Sequence, residues 1–393
     1  MKEYEALNVK IANRKEKIIL ILFIMIIIMS QGIRTMLNNL INSSIFNYHA
    51  IPIIIILIIV FSKKNKLDTK NTILIFGIMG LLIINYITNA YKFSEFFRAL
   101  ISFVLPLFIL LINYKDVDEK YIMSRAIKIL NIFINITFII QVFLSFKNGR
   151  TGGIVGHSLT VGWYYVIFIS LNCIYYKYFS VKNDILIIKD IGIALLGCVL
   201  ATGRISMFAV LILGIIYAIN CCRNKLLVYI IMPIAIISFL NTSLVSEQIW
   251  EKFIYASEWG DVTNGRLLGI REMQFYEIYP KFFIGKGLGY SNYITTYLFS
   301  TTNFENPILM FAFDYGILTA IFLIIIILIN PLIKFFKRKN LLLMVNYLLV
   351  VIVPFTYNGL SETVGLFIVL IFIIYIFLII NNYISKEKFS IKN

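Results

Sequence analysis

The feature that most restricts the fold of this chain is an apolar run, long enough to cross a bilayer, that recurs along nearly its whole length. A spanning helix needs about 20 mostly apolar residues. Because hydrocarbon offers backbone amides no hydrogen-bond partner, the runs are predicted to be helices, and their lack of apolar–polar alternation excludes barrel strands. We predict an all-α polytopic membrane protein with about 12 spanning helices, near residues 18–34, 46–61, 72–90, 96–113, 129–146, 159–176, 186–202, 204–220, 226–240, 306–332, 341–358 and 363–381.

The lysines and arginines predict how these helices are oriented. With a cytoplasmic N-terminus, 25 of the 36 fall on inner segments and 11 on outer ones, as the positive-inside rule requires. The net charge of +16 is therefore a topological signal, matched to an anionic inner leaflet, and it needs no nucleic-acid partner. We predict a single membrane domain with both termini cytoplasmic. Its parts are an N-terminal segment (1–17), helices one to nine (18–240), an extracytoplasmic loop (241–305), helices ten to twelve (306–381) and a tail (382–393).

The composition also excludes several functional classes. Only 14% of the residues are charged, four are cysteines and two are histidines. No pair of cysteines has the spacing of a zinc site, and a disulfide scaffold needs more of them. Serine-hydrolase, P-loop and zinc-protease motifs are missing as well. We expect neither a metal nor any other cofactor.

The loop at 241–305 is the segment most suited to carry function, because it is long, polar and rich in aromatic residues. It contains a candidate helix from Arg266 to Tyr279 that Pro280 ends. Arg271 follows Arg266 by little more than one turn, and Trp259 and Tyr276 add flat apolar surface. Such a helix either binds sugar rings by stacking or lies in the membrane interface with snorkelling arginines.

Two arginines lie where the topology disfavours positive charge. Arg204 begins the eighth helix at its outer end, and Arg98 has the same place in the fourth. An ionisable residue at such a position is a candidate for function. The alternatives are snorkelling of Arg204 to the outer headgroups and a local pair of Arg98 with Glu95.

Carboxylates occur on the same side. Glu305 lies at the start of the tenth helix and Asp314 about two turns inside it, while Glu362 lies between the last two helices. Glu305 can be a favourable charge at a helix N-terminus, whereas a buried Asp314 needs a partner. His157 is interpreted as a loop or interface residue. Arginine clusters bind phosphate and diphosphate, so the set predicts a lipid diphosphate at the outer membrane face.

Four motifs occur in the order that a known family shows. They are Arg150-Thr151-Gly152-Gly153 before the sixth helix, Thr202-Gly203-Arg204-Ile205-Ser206 at the eighth, Asn264-Gly265-Arg266 with Pro280 and Gly285-x-Gly287-x-Gly289 in the loop, and Glu305-Asn306-x-x-Leu309 before Gly316. With the twelve helices and the late outer loop, the chain resembles the O-antigen ligase and polymerase superfamily, which includes the Wzy-type polysaccharide polymerases. Many members have a histidine where this chain has Glu305.

The resemblance implies an inverting glycosyltransferase of the bacterial cytoplasmic membrane that makes O-antigen, capsular or exopolysaccharide. The donor is a growing glycan on polyprenyl diphosphate, and a sugar hydroxyl of an incoming lipid-linked repeat unit is the acceptor. Arg204 and Arg266 then bind the leaving diphosphate, and Glu305 is either the base or a helix cap. The further contacts to diphosphate or sugar are Arg271, Arg98, Trp259, Tyr276 and Asp314.

Other functions stay open at this stage. The lack of histidine at position 305 favours a polymerase over a lipopolysaccharide ligase, and a wall-polymer ligase or peptidoglycan polymerase is a related alternative. A lipid-linked oligosaccharide flippase or other transporter also has about twelve helices, but it would place charges near the midplane of both halves. A flippase and a chain-length regulator are the expected protein partners of a polymerase.

Overall fold

The computed structural model describes most of the chain, and every regular element in it is helical. The described residues contain no strand, which confirms the predicted all-α class. They are residues 14–28, 30–42, 50–62, 67–89, 93–114, 117–148, 151–224, 226–242, 245–246, 251, 254, 268–299, 304, 306–357, 360 and 364–390.

A helix overlaps each of the twelve predicted apolar segments. The described part of the loop at 241–305 adds two short helices, Leu268–Phe275 and Tyr290–Tyr293. The first of them lies inside the predicted loop helix but ends before Tyr279, because Glu277 has a positive φ of 53°. The other helices are Arg14–Ile28, Gln31–Ile41, Ala50–Val60, Thr69–Asn89, Phe93–Leu111, Glu119–Asn148, Ser158–Tyr178, Asp184–Leu200, Arg204–Cys221, Met232–Leu240, Pro307–Tyr315, Ile317–Lys337, Leu341–Ile352 and Val364–Ser390.

Seven described helices are long and apolar enough to cross a membrane, and the count rises to eight if one bent pair forms a single span. The chain is therefore consistent with a multi-pass membrane protein, while the count of about 12 stays a prediction. The remaining predicted spans contain shorter helices, such as the 11 residues of Ala50–Val60. The seven are Thr69–Asn89, Phe93–Leu111, Glu119–Ser145, Ser158–Tyr178, Arg204–Cys221, Ile317–Lys337 and Gly365–Lys386.

Three predicted segments differ in shape from single straight spans. The first one bends by 89° between Lys15–Ile27 and Gln31–Ile41. The tenth is broken at Gly316, so that Pro307–Tyr315 and Ile317–Lys337 are separate helices; we call these two the broken helix. The last helix, Val364–Ser390, continues past residue 382, where the tail was predicted to begin.

The last helix is also the centre of the bundle. In the 18-residue apolar part of Gly365–Lys386, 94% of the residues are buried inside the protein, compared with 28% in Thr69–Asn89. A helix that is apolar on all sides is suited to such a place. Small residues allow close packing among three other helices, since Gly197 faces the Tyr165 ring and Gly162 faces Ser206 too closely for any Cβ.

The contacts between helix ends fall into two groups, one for each predicted side of the membrane. Ends that the charge count assigns to the inside meet one another, as in the ion pairs Lys386–Glu119 (2.7 Å) and Lys334–Asp68 (3.6 Å). Ends assigned to the outside do the same: the Thr151 amide donates to the carbonyl of Leu200 (3.3 Å). Other contacts of the two kinds are Tyr178 with Asn340 and Arg223 with Asp184 on the inner side, and His157 with Tyr357 and Asn89 with Gly285 on the outer side.

Candidate functional site

The ends assigned to the outside surround an open cavity of about 1460 Å³. Its size exceeds that of sites for drug-sized ligands, which occupy roughly 300–1,000 Å³. Residues of the bent first pair, of Ala50–Val60, of Phe93–Leu111 and of the broken helix contribute to its wall. The lining residues are Gln31, Arg34, Ala50, Ile53, Ile54, Ser94, Glu95, Phe97, Arg98, Ile101, Ser102, Phe103, Leu105, Leu288, Gly289, Ser291, Asn292, Met310, Phe311, Asp314, Tyr315 and Leu360.

Four ionisable side chains of opposite sign line this cavity. Arg34 and Arg98 supply the positive charge, and Glu95 and Asp314 the negative. The side chains of Arg98 and Glu95 are exposed and form no ion pair within the described structure. The local Glu95–Arg98 pair considered from the sequence is therefore not formed, and both groups are available to a ligand.

Asp314 has a different environment, because the protein already occupies its carboxylate. The side chain is 3% exposed. Its Oδ1 accepts the amide of Ser291 at 2.8 Å, and its Oδ2 accepts the amide of Gly289 at 3.1 Å. Bonds from backbone amides to a charged acceptor are strong. Asp314 thus holds the beginning of the short helix Tyr290–Tyr293 in the cavity wall, which is the partner that a buried carboxylate requires.

Residues 281–289 form a non-helical stretch that packs along the broken helix, and we call it the glycine segment. The amides of Lys286 and Gly287 donate to the last carbonyls of Pro307–Tyr315, those of Phe313 (3.0 Å) and Asp314 (2.8 Å). Across the break, the carbonyls of Lys281 and Phe282 accept the first amides of the next helix, from Ile317 (3.0 Å) and Leu318 (2.9 Å). The glycine segment therefore satisfies both helix ends at the break, as irregular backbone at membrane depth requires.

Glycines are required in this packing for steric reasons. A Cβ on Gly285 would lie 2.3 Å from the carbonyl oxygen of Asp314. Gly316 has φ 96° and ψ 153°, a conformation that is essentially confined to glycine. Two amides of Thr69–Asn89 fix the arrangement, because Asn85 donates to the carbonyl of Asp314 and Asn89 to that of Gly285, each at 3.1 Å.

Several buried polar atoms of the cavity wall have no hydrogen-bond partner within the described part of the chain. They are Nε of Arg34, the Oγ atoms of Ser102 and Ser291, and Oδ1 of Asn292. An unsatisfied buried polar atom costs about 1–3 kcal/mol, and a native protein tolerates such atoms where they meet a ligand or solvent. Four such atoms in the lining of one cavity mark it as a polar recognition surface.

The structure brings only some of the predicted site residues together. Arg98 and Asp314 line the cavity, whereas Arg204 lies at the start of Arg204–Cys221 and does not. Arg271 and Tyr276 are exposed beside the described end of the loop and are also outside the lining. Tyr276 stacks on Phe299 with ring centres 5.5 Å apart. The predicted positions that lie outside the described residues are Arg150, Trp259, Arg266, Glu305 and Glu362.

His157 is exposed at the N-terminus of Ser158–Tyr178. Its ring stacks on Tyr357 at 6.1 Å, and its Nδ1 lies 3.3 Å from the hydroxyl of Thr160. Among the described residues, no group of three or more His, Cys, Asp or Glu side chains could hold a metal ion.

Arg34 is the cavity residue that the sequence analysis missed. It is one of the 11 basic residues assigned to the outside and follows the first apolar run directly. That position resembles those of Arg98 and Arg204, so an outer cation next to a span was the available signal.

No family model, curated protein or solved structure matches this chain.

Proposed function

We propose that this protein is a polysaccharide polymerase at the outer face of the bacterial cytoplasmic membrane. It transfers a growing glycan from polyprenyl diphosphate to a sugar hydroxyl of an incoming lipid-linked repeat unit. The observation that carries the proposal is the cavity, whose wall combines guanidinium groups, carboxylates and apolar side chains. A lipid-linked sugar offers a partner to each: phosphate to the arginines, hydroxyls to the carboxylates and hydrocarbon to the apolar wall.

The two groups of helix ends support the sidedness of the site. Except for Leu105, near the middle of the fourth segment, the cavity-lining residues belong to ends or outer halves that the charge count assigns to the outside. Basic residues such as Lys334 and Lys386 occur at the opposite ends. Both groups of helix ends are explained if the chain crosses the membrane in alternating directions through all twelve predicted segments. This supports an extracytoplasmic cavity and cytoplasmic termini.

The proposed reaction is a displacement at the anomeric carbon of the donor. The acceptor hydroxyl forms the new glycosidic bond while the bond between the anomeric carbon and the diphosphate oxygen breaks. Polyprenyl diphosphate leaves with the electron pair, and a carboxylate accepts the hydroxyl proton. Within the cavity, Arg98 stabilises the charge that develops on the leaving group. Arg266 as a second diphosphate contact, Glu305 as the base and Trp259 as a sugar contact stay part of the proposal. Arg204, Arg271 and Tyr276 lie outside the cavity lining and are assigned no contact with this diphosphate.

Transport is the second candidate, and the broken helix is the observation that favours it. Transporters often bind substrate at helices that are interrupted in the membrane. In this protein the break at Gly316 is filled by the glycine segment, and Asp314 is occupied by the amides of Gly289 and Ser291. The described half-helix ends are thus used by the protein itself, which favours the polymerase.

The test is an analysis of lipid-linked glycans in cells that lack the gene. A single repeat unit on polyprenyl diphosphate, accessible from outside the cell, is expected. Full-length chains that remain on the carrier would instead identify a ligase. Repeat units trapped on the cytoplasmic face would identify a flippase and refute the proposal.

Complementation of the same cells tests the arginines. Arg98→Ala and Arg266→Ala are each expected to abolish the polymer at a normal protein level, because each removes a bond to the leaving diphosphate. Arg223→Ala is the matched control, since Arg223 is exposed at the opposite helix ends and, among the described residues, only its backbone amide is bonded, to Asp184 (3.0 Å). Wild-type polymer from both test variants would refute these roles.

A further inference from the structure

We propose that Arg34 and Arg98 together bind the phosphate groups of an isoprenoid-linked phosphate or diphosphate inside the cavity. The isoprenoid chain then runs along the apolar part of the wall. Arg34 becomes a substrate-binding residue supplied by the bent N-terminal pair. That the bound lipid carries a sugar rests on the proposed function. The binding of the phosphorylated lipid itself does not depend on it.

The state of the two guanidinium groups is the first argument. Neither side chain forms a hydrogen bond or ion pair within the described structure, and Nε of Arg34 is buried. A guanidinium group carries five N–H donors in a planar fork that matches phosphate oxygens. A phosphate in the cavity would satisfy the buried Nε and add charge-assisted bonds to both arginines.

The position of Arg34 is fixed by the fold, which is the second argument. The helix Gln31–Ile41 runs at 89° to the helix before it. A Cβ on Gly32 would lie 2.2 Å from the carbonyl oxygen of Ile154, so the start of this helix is packed directly against the turn before Ser158–Tyr178. The backbone at Arg34, half a turn further on, is therefore held beside the cavity, and Arg34 is one of the lining residues.

The apolar wall is the third argument, because it gives the ligand a lipid character. Ile53, Ile101 and Leu105 line the cavity together with Ile54 and Phe97. Ile54 is 54% exposed and Phe97 is 49% exposed, although both belong to apolar helices. The cavity thus continues into a hydrophobic surface that would face the bilayer, and a hydrocarbon chain attached to the phosphate can leave the cavity there.

The negative charges that face the same cavity are compatible with this assignment. Asp314 is 3% exposed, and its two oxygens accept the amides of Gly289 and Ser291. Glu95 is exposed on the same helix as Arg98. Its carboxylate can accept a hydrogen bond from a sugar hydroxyl, but it repels phosphate. The polar atoms of Ser102 and Asn292 offer further bonds to the head group.

The experiment measures binding of farnesyl diphosphate to the purified full-length protein in uncharged detergent. Arg34→Gln and Arg98→Gln are each expected to weaken binding about tenfold or more, since each removes charge-assisted hydrogen bonds. Arg34→Lys keeps the charge without the fork and is expected to lie in between. Arg223→Gln, at the opposite helix ends, is the control with unchanged affinity.

Two further ligands identify what the cavity recognises. Farnesol is expected to bind more weakly than farnesyl diphosphate because it lacks the anion. Inorganic diphosphate is also expected to bind more weakly, because it lacks the isoprenoid chain. Equal affinity for inorganic diphosphate would overturn the lipid part of the inference. Equal affinity of all arginine variants for farnesyl diphosphate would overturn the site.

A loss of binding in a variant that no longer folds would not count. Each variant must therefore elute from size exclusion and unfold as the wild type does, and Arg34→Lys provides a conservative second test. Binding does not depend on polymerisation, so the two proposals fail separately. If Arg34→Gln and Arg98→Gln lose binding but the glycan profile is that of a flippase, the site is supported and the polymerase is refuted. If both variants bind normally and the glycan profile is that of a polymerase, only the site is refuted.

Discussion

Gly316→Ala is the substitution whose effect follows most directly from the geometry of the broken helix. Gly316 has φ 96° and ψ 153°, and forcing a residue with a side chain into such a region costs about 1–3 kcal/mol. The new Cβ would also lie 2.7 Å from the carbonyl oxygen of Phe283. The glycine segment would have to move away from the break.

This movement adds to the cost, because the same stretch of backbone carries hydrogen bonds. The amides of Ile317 and Leu318 would lose the carbonyls of Lys281 and Phe282, now at 3.0 and 2.9 Å, at about 1 kcal/mol each. Together with the strain, we expect Gly316→Ala to lower the free energy of unfolding by about 3–5 kcal/mol.

The assay is unfolding of the purified protein in mixed micelles with increasing SDS, followed by circular dichroism. Gly80→Ala is the matched control, because Gly80 lies in Thr69–Asn89 and its Cβ would meet no atom within 4 Å. Alanine in a helix interior stabilises by about 0.5–1 kcal/mol relative to glycine. A Gly316→Ala protein as stable as the wild type, beside a Gly80→Ala protein that behaves as expected, would refute the account of the break.

Two further predictions concern the carboxylates of the cavity. Asp314→Asn leaves one acceptor for the amides of Gly289 and Ser291, so those amides should exchange with deuterium about tenfold faster or more. Mass spectrometry of peptides from 286–292 measures this exchange, and an unchanged rate would contradict the capping role of Asp314. Glu95→Gln removes a charge that repels phosphate, and we expect a two- to fivefold tighter affinity for farnesyl diphosphate, roughly the effect of one exposed ion pair; weaker binding would mean that Glu95 contacts the ligand favourably.

Some parts of the candidate site could be predicted from local sequence alone. Arg98 stands out as a cation at the outer end of an apolar run, and it lines the cavity. Asp314 stands out as a carboxylate inside such a run. Its partners, the amides of Gly289 and Ser291, lie more than 20 residues away in the chain, and only the packing of the glycine segment brings them to it.

Arg34 has the same local signal as Arg98, an outer cation next to an apolar run, but its place in the cavity depends on two tertiary features. One is the 89° bend after Lys15–Ile27, and the other is the close packing of Gly32 on Ile154. With these two features, Arg34 lies in the wall beside residues of Phe93–Leu111 and Pro307–Tyr315.

The sequence by itself determined the helical class, the approximate bounds of the helices and the expected side of each helix end. These follow from local quantities, since apolar length and basic charge are read directly along the chain. Only the tertiary structure decided that Val364–Ser390 is central, that the tenth segment breaks at Gly316, and that Arg34 joins Arg98. Those features arise from contacts between distant residues, and in an almost uniformly apolar chain many packings bury similar surface, so composition cannot choose among them.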